Sequence, residues 1–190
     1  MMSRRVISIK YFWQICKYKN DELPLYRRDG TPTWTSVSDI GKVYNGKEFT
    51  VNEYLYVESL FVKAIQRFMS CSNSSTLAIK QLERPLGITA VKESLINRGF
   101  SLDESKEMLV CFETIDKRTK LSFSEVECIT RLALREYIWT ELESDTMYVR
   151  FNYDYYIDIG STVECEQAVK KVQEMKLSIN LWEDPFPYFF

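Results

Sequence analysis

The sequence contains no histidine among its 190 residues. This absence removes the commonest general base, the usual partner of a catalytic serine or cysteine, and a frequent zinc ligand. Only six glycines are present, and neither a GxxxxGK[ST] nor a GxGxxG run occurs, so no phosphate-binding loop is predicted. Carboxylate chemistry stays open, because Asp154 with Asp158, or Glu141, Glu143 and Asp145, could bind a metal or form an acid–base pair. We favour a solvated surface for these groups and predict neither an enzyme nor a bound cofactor.

The sequence also lacks a long apolar run, and no segment approaches the length of a membrane span. Its start, MMSRRVISIKYFWQI, is basic like a signal peptide but has no uninterrupted apolar core and no small-residue cleavage site. The cysteines are odd in number and show no paired spacing, so we predict free thiols, at least three of them buried. They are Cys16, Cys71, Cys111, Cys128 and Cys165. We therefore expect a soluble cytoplasmic protein that does not bind a membrane.

A strongly basic composition is absent as well, since the net charge is −2. The charge is nevertheless uneven: from Glu141 onward there are ten acidic and four basic residues, a net −6 that leaves +4 for the first 140 residues. Such an acidic end can steer a cationic partner, although surface solvation alone could also produce it. The pairs Arg4-Arg5 and Arg27-Arg28 lie among aromatics, but nearby acids dilute them and no nucleic-acid-binding motif appears, so direct nucleic-acid binding is not predicted.

Hydrophobic periodicity and capping patterns predict four to five helices. Four segments begin with Ser or Thr and carry Glu three residues later, the pattern of a capping box: Thr50–Glu53, Ser101–Glu104, Ser122–Glu125 and Ser161–Glu164. The predicted helices cover 51–69, 103–115, Ser122 to about Leu142, Val163–Met175, and Ile88–Asn97 with Gly99 near its end. The segment 103–115 could equally be a buried strand, because Val110, Cys111, Phe112 and Ile115 form an apolar run.

Shorter β-rich segments separate these helices. Strands are predicted over Val6–Tyr18, Thr76–Gln81 and Leu177–Trp182, and Asp29-Gly30 and Asn45-Gly46 mark turns. The predicted fold is α+β: a single domain over residues 1–190, with four to five helices packed on a small, mostly antiparallel sheet and the first thirty or so residues not placed. The predicted core comprises Phe61, Ile65, Phe68, Ile129, Ala133, Tyr137, Val149, Phe151, Ile157 and Ile159.

The segment Met147–Gly160, MYVRFNYDYYIDIG, alternates with a period of two. One parity is apolar or aromatic, and the other carries Arg150, Asn152, Asp154, Tyr156 and Asp158. This pattern predicts either one half-buried strand or a tight hairpin. Its polar face mixes carboxylates with tyrosines, which suits a surface for a basic protein partner but also suits an ordinary solvated strand.

Several phrases, taken in order, resemble bacterial immunity proteins of the contact-dependent growth inhibition and related polymorphic-toxin type. The shared order is a DIG-containing turn before a long helix, an Arg-rich helix ending near Trp, a Y-D-Y-Y strand, and a closing strand with an acidic tail. The phrases are VSDIGKVYNGKEFTVNEYLYVE (37–58), TLAIKQLE (76–83), TRLALREYIW (130–139), VRFNYDYYIDIGS (149–161) and MKLSINLWEDPFPY (175–188).

The resemblance implies an antidote without enzymatic activity that binds a cognate toxin domain in the cytoplasm and blocks its active site or substrate surface. Because many such toxins act on nucleic acid, the expected partner is a basic domain such as a nuclease, which an acidic surface would attract. The candidate partner-binding residues are Glu141, Glu143, Asp145, Asp154, Tyr156, Asp158, Glu183 and Asp184. The Y-D-Y-Y phrase could instead serve the fold, because toxin contacts vary between members of this family.

Two alternatives remain beside the immunity function. The first is an adaptor or interaction module that binds a host or phage partner through the same acidic and aromatic face. The second is a metal-dependent hydrolase that uses the clustered carboxylates.

Overall fold

A computed structural model describes residues 9–18 and 33–181, and these form one α+β domain with a single hydrophobic core. Five helices belong to it: α1 (Val51–Cys71), α2 (Ile88–Asn97), α3 (Leu102–Thr114), α4 (Glu125–Leu134) and α5 (Glu166–Glu174). The predicted fold class is confirmed. The open choice over residues 103–115 is decided in favour of a helix, α3, which buries Ser105, Met108 and Phe112 on one side.

The sheet is larger than the sequence predicts. Its seven strands are all antiparallel and lie in the order β5-β4-β6-β7-β8-β1-β9. The strands are β1 (Tyr11–Cys16), β4 (Thr76–Glu83), β5 (Lys120–Ser122), β6 (Trp139–Glu143), β7 (Met147–Phe151), β8 (Tyr156–Ser161) and β9 (Ser178–Leu181). A separate hairpin joins β2 (Val43–Tyr44) to β3 (Lys47–Glu48) through the predicted Asn45-Gly46 turn, where both residues have positive φ.

One face of the sheet carries the apolar core. Leu142, Val149 and Ile159 are completely buried at matching positions of β6, β7 and β8, and β1 adds Ile15. Helix α1 packs on this face with Phe61, Ile65 and Phe68 and other apolar side chains, and the Phe68 ring lies 4.9 Å from that of Trp13. The predicted core residues are buried as expected, except that Phe151 is only half-buried.

The helix predicted to reach Leu142 is too long. Helix α4 ends at Leu134, and the chain then reverses through Glu136, which has a φ of 61°. The amides of Glu136 and Tyr137 bond back to the carbonyls of Ala133 and Leu132, both at 3.0 Å, which closes the helix. The residues from Trp139 to Glu143 form β6, which pairs with β4 on one side and with β7 on the other. In this strand Thr140 and Leu142 are buried.

The segment Met147–Gly160 is the hairpin rather than one strand. Strands β7 and β8 pair in register, and a single turn of 3-10 helix at Tyr153–Tyr155 connects them. Asp154 and Tyr155 have φ values of 57° and 62°, so two consecutive residues without the freedom of glycine adopt the left-handed region.

The four predicted capping boxes differ in how far the structure forms them. Thr50 and Glu53 form the complete box at the start of α1, and Ser122 and Glu125 exchange hydrogen bonds before α4, although the residue that caps α4 is Ser124. At α3 the Ser101 hydroxyl accepts the Glu104 amide at 3.2 Å, but the carboxylate of Glu104 turns toward Arg135 instead. The box predicted at Ser161–Glu164 is wrong: Ser161 ends β8, and α5 begins only at Glu166.

The cysteine prediction is confirmed. All five thiols are free, with Cys16, Cys128 and Cys165 buried and Cys71 and Cys111 half-buried. No helix within residues 9–18 and 33–181 is long and apolar enough to cross a membrane. The Asp29-Gly30 turn and the basic residues Arg4, Arg5, Arg27 and Arg28 lie outside the described residues.

Candidate functional site

Within residues 9–18 and 33–181, the predicted acidic residues lie in three places: on β6 and the turn that follows it, on β8, and in the turn between β7 and β8. Glu141 and Glu143 lie on β6, and Asp145 lies in the exposed turn before β7. The Lys80 ammonium lies 3.7 Å from a carboxylate oxygen of Glu141 and 3.5 Å from one of Glu143. Arg150 on β7 approaches Glu141 from the other side, with its Nε 3.4 Å from the carboxylate. The acidic charge on this part of the sheet is therefore largely balanced by the protein's own cations.

Asp158 is buried, with only 4% of its surface exposed, and does not form part of an open acidic face. Its two carboxylate oxygens accept hydrogen bonds from the side-chain amides of Gln14 at 3.1 Å and of Asn152 at 2.7 Å. Asp158 thus connects β1 to the end of β7 and fixes the residue that precedes the 3-10 turn. Tyr156 is half-buried, and its ring lies 5.6 Å from that of Tyr18.

Asp154 is exposed in the turn between β7 and β8. The two remaining candidates, Glu183 and Asp184, lie outside the described residues. The structure therefore does not gather the six described members of the predicted set into one site.

A cleft of about 150 Å³ lies between the end of α4 and the turn that carries Asp154. One wall runs from Ala133 to Trp139, and the other from Phe151 to Tyr155. Glu136 on the first wall and Asp154 on the second place an exposed carboxylate on each side. None of the described lining residues carries a positive charge. We call this feature the α4–β8 cleft.

The α4–β8 cleft also presents two large aromatic rings to solvent. Trp139 is 47% exposed and Tyr153 is 67% exposed. Their rings meet edge to face, with centroids 5.2 Å apart, so each ring supports the position of the other. Exposed aromatic side chains are enriched at protein–protein interfaces, and neighbouring carboxylates would attract a basic partner.

Tyr155, the buried end of the second wall, forms the floor of the cleft and is held by several contacts. Tyr155 is buried, and its hydroxyl donates to the carbonyl of Leu134 at 3.3 Å, which joins the two walls. Its ring packs edge to face on Trp34 at 4.8 Å and on Phe61 at 5.7 Å. Burial raises the pKa of the Tyr155 phenol well above its ordinary value, so the group remains a neutral donor.

Three of the seven described non-glycine residues with positive φ lie on the two walls. Glu136, Asp154 and Tyr155 all have positive φ and none is glycine. Each such residue costs of the order of 1 kcal/mol and is retained only where the surrounding structure determines it. Here the Tyr155–Leu134 bond and a backbone bond from Asn152 to Tyr156 at 2.8 Å provide that constraint.

Sequence reasoning missed Glu136, Trp139 and Tyr153 as site residues. The helical pattern from Ser122 to about Leu142 includes Glu136 and Trp139, and the alternation of Met147–Gly160 places Tyr153 on the apolar or aromatic parity. The sequence gives little sign that a helix ends here, because helix ends are usually marked by Gly or Asn and this position is occupied by Glu136.

In the described parts of the chain, no group of three or more Cys, Asp or Glu side chains is arranged to hold a metal ion. No protein family, curated protein or solved structure gives a significant match to this chain. A functional assignment therefore depends on the residues and their geometry.

Proposed function

We propose that this protein is an inhibitory binding protein of the immunity type, which binds a cognate toxin domain and blocks its active site or substrate surface. The observation that carries the proposal is the α4–β8 cleft, which is lined by two exposed aromatic rings and by an exposed acidic residue on each wall. Large rigid aromatics supply contact area at low entropic cost, and the carboxylates supply attraction for a basic surface.

Three properties of the sequence support the same function. The phrases that resemble immunity proteins include both walls of the cleft, within 130–139 and 149–161. The part of the chain from Glu141 onward has a net charge of −6, which favours rapid association with a basic domain such as a nuclease. The absence of histidine makes inhibition by binding a simpler function than catalysis.

The structure modifies which residues are expected to contact the toxin. Asp158 is buried, and Glu141 and Glu143 already contact Lys80, so we place the centre of the interface at Trp139, Tyr153 and Asp154. Glu141, Glu143 and Asp145 then lie toward the rim, where single charges mainly change association rates.

The test is co-expression with the toxin domain encoded beside this gene, with growth as the measurement. We expect growth rescue, a complex that survives gel filtration, and an association rate that falls as ionic strength rises. Failure to rescue growth or to form the complex contradicts the proposal. A stable complex with a host protein in the absence of toxin would favour the adaptor function instead.

A further inference from the structure

We propose that the α4–β8 cleft receives one arginine side chain of the protein partner. This inference rests on the proposed function only in that the arginine would belong to the toxin. Its basis is the complementarity between a guanidinium group, which is planar and cationic, and a cleft that combines exposed rings, carboxylates and an apolar floor.

The size and charge of the cleft limit what it can bind. A volume of about 150 Å³ is below the 300–1,000 Å³ of ordinary small-molecule sites, so the cleft suits a single side chain rather than a nucleotide or cofactor. Anionic groups are disfavoured, because Glu136 and Asp154 supply negative charge and no described lining residue supplies positive charge. A cationic side chain is the occupant that satisfies both limits.

The aromatic rings favour arginine over lysine. A guanidinium stacks on an aromatic face and can still donate hydrogen bonds in its own plane, whereas an ammonium is a compact and strongly hydrated point charge. Trp139 and Tyr153 offer exposed ring surface, and the carboxylates lie one on each wall to accept from the edges of the guanidinium. The stem of the arginine would contact Leu134 and Ile138.

The cleft is preorganised for this occupant. The Tyr155 hydroxyl fixes the turn to the end of α4, and Asp158 holds Asn152 from the buried side. Little conformational freedom is then lost on binding, which is how a small contact acquires useful affinity. The backbone at Glu136 and Asp154 is held in the left-handed region in the structure without a partner.

The test uses the blocked tripeptide acetyl-Gly-Arg-Gly-amide as the probe, with citrulline in place of arginine as the neutral control. The measurement is an NMR titration that follows the indole N–H of Trp139, assigned by comparison with Trp139→Phe. We expect saturable shifts with a dissociation constant in the millimolar range, and binding of the citrulline peptide about tenfold weaker.

Matched variants locate the site. Asp154→Asn removes the charge while keeping a residue that tolerates positive φ, so the turn should persist, and it should weaken peptide binding about tenfold. Asp116→Asn makes the same chemical change at an exposed residue between α3 and β5, which is an edge strand of the sheet, and should leave peptide binding unchanged. Equal binding of the arginine and citrulline peptides, or equal effects of the two variants, would overturn the inference.

A second readout separates this inference from the proposed function. If the double variant Glu136→Gln with Asp154→Asn still rescues growth and binds the toxin at full affinity, the cleft is not the arginine site and the inhibitory function stands. If the peptide binds in the cleft but the toxin neither binds nor is neutralised, the arginine site stands and its partner is another basic protein.

Discussion

Two groups of ion pairs in this protein occupy opposite environments. Between α1, α3 and α4, Glu58 and Arg135 are completely buried and form two hydrogen bonds, at 2.7 and 2.8 Å. On the sheet, Lys80 and Glu141 are 3.7 Å apart, with 36% and 26% of their side chains exposed. The same chemical types therefore meet at different distances and with different access to water.

The buried group is a network rather than a single pair. Glu104 of α3 contacts Arg131 of α4 and Arg135, the residue that follows α4, and Arg131 also contacts Glu127 at 2.6 Å. The guanidinium of Arg135 lies 4.1 Å from the centre of the Phe100 ring. Burial opposes the charge of Arg135, but hydrogen bonding and charge interaction with Glu58 raise the pKa of Arg135 above its ordinary value, so it remains charged.

Burial, more than the number of contacts, determines how much stability is lost when an ion pair loses one partner. A buried charge that loses its partner has no water to replace it, whereas a surface charge is resolvated at once. The buried network also lies directly before the α4–β8 cleft, since Arg135 stands between Leu134 and Glu136. It therefore helps to define where α4 ends.

The largest expected effect follows from Glu58→Gln. The change leaves Arg135 charged, buried and deprived of its bidentate partner, and we expect the free energy of unfolding to fall by about 3–5 kcal/mol. Urea denaturation at neutral pH measures the change. A loss below about 1 kcal/mol would show that the buried pair behaves like a surface pair.

A control for that prediction replaces both charges together. The double variant Glu58→Leu with Arg135→Met removes both buried charges, so neither is left without a partner. It also removes Nη1 of Arg135, which has no acceptor among the residues that the structure describes. The double variant should therefore lose less stability than Glu58→Gln, and its midpoint should approach that of the wild type.

An intermediate effect is expected where an exposed carboxylate bonds to the backbone. Glu53→Gln weakens the capping box of α1, in which the Glu53 carboxylate accepts the Thr50 amide at 3.1 Å, and should cost about 0.5–1 kcal/mol. A hydrogen bond from Lys47, and then the bond from the Thr50 backbone, lower the pKa of Glu53.

The pH dependence of that variant has a definite sign. Because the pKa of Glu53 is lower in the folded state, its stabilisation is present above the unfolded value of about 4.3 and disappears as pH falls through the folded value. The difference in thermal midpoint between wild type and Glu53→Gln should therefore be constant near neutrality and shrink under acid conditions. A difference that grows on acidification would contradict this assignment.

The smallest effect is expected from Glu141→Gln, which makes the same chemical change as Glu58→Gln but at the surface. The contacts of Glu141 with Lys80 and Arg150, at 3.7 and 3.4 Å, should contribute about 0–1 kcal/mol, and less as salt is added. Denaturation at low and at high salt measures both quantities. A loss as large as that from Glu58→Gln would remove the distinction between the two groups.

Local signals in the sequence were sufficient for most of the helices. The Thr50–Glu53 box and the spacing of Phe61, Ile65 and Phe68 predicted α1, because capping and amphipathic periodicity act within a few residues. Strand β6 could not be predicted from the sequence, because TRLALREYIW continues the helical period beyond Leu134, where α4 ends. The pairing partners of β6, which lie on β4 and β7, are not visible in its own sequence.

The candidate site was predicted least well, for one physical reason. Both walls of the α4–β8 cleft turn at non-glycine residues with positive φ: Glu136 on one wall, Asp154 and Tyr155 on the other. Sequence patterns mark such turns through glycine or asparagine. The helical pattern therefore continues through the break at Glu136, and the alternation of Met147–Gly160 leaves a single strand and a hairpin equally open. The acidic candidates were chosen by residue type, and type alone does not distinguish the buried Asp158 from the exposed Asp154.

The sequence alone is enough to predict the α+β class, the apolar face of each long helix, the free thiols and the acidity of the last 50 residues. These follow from composition and from periodicities that local backbone geometry imposes. Only the tertiary structure decided which carboxylates meet cations, which one is buried, and that Trp139 and Tyr153 lie together at a cleft. Such juxtapositions depend on contacts between distant strands and helices, whose free energies are shared by the whole core and are not encoded in any one segment.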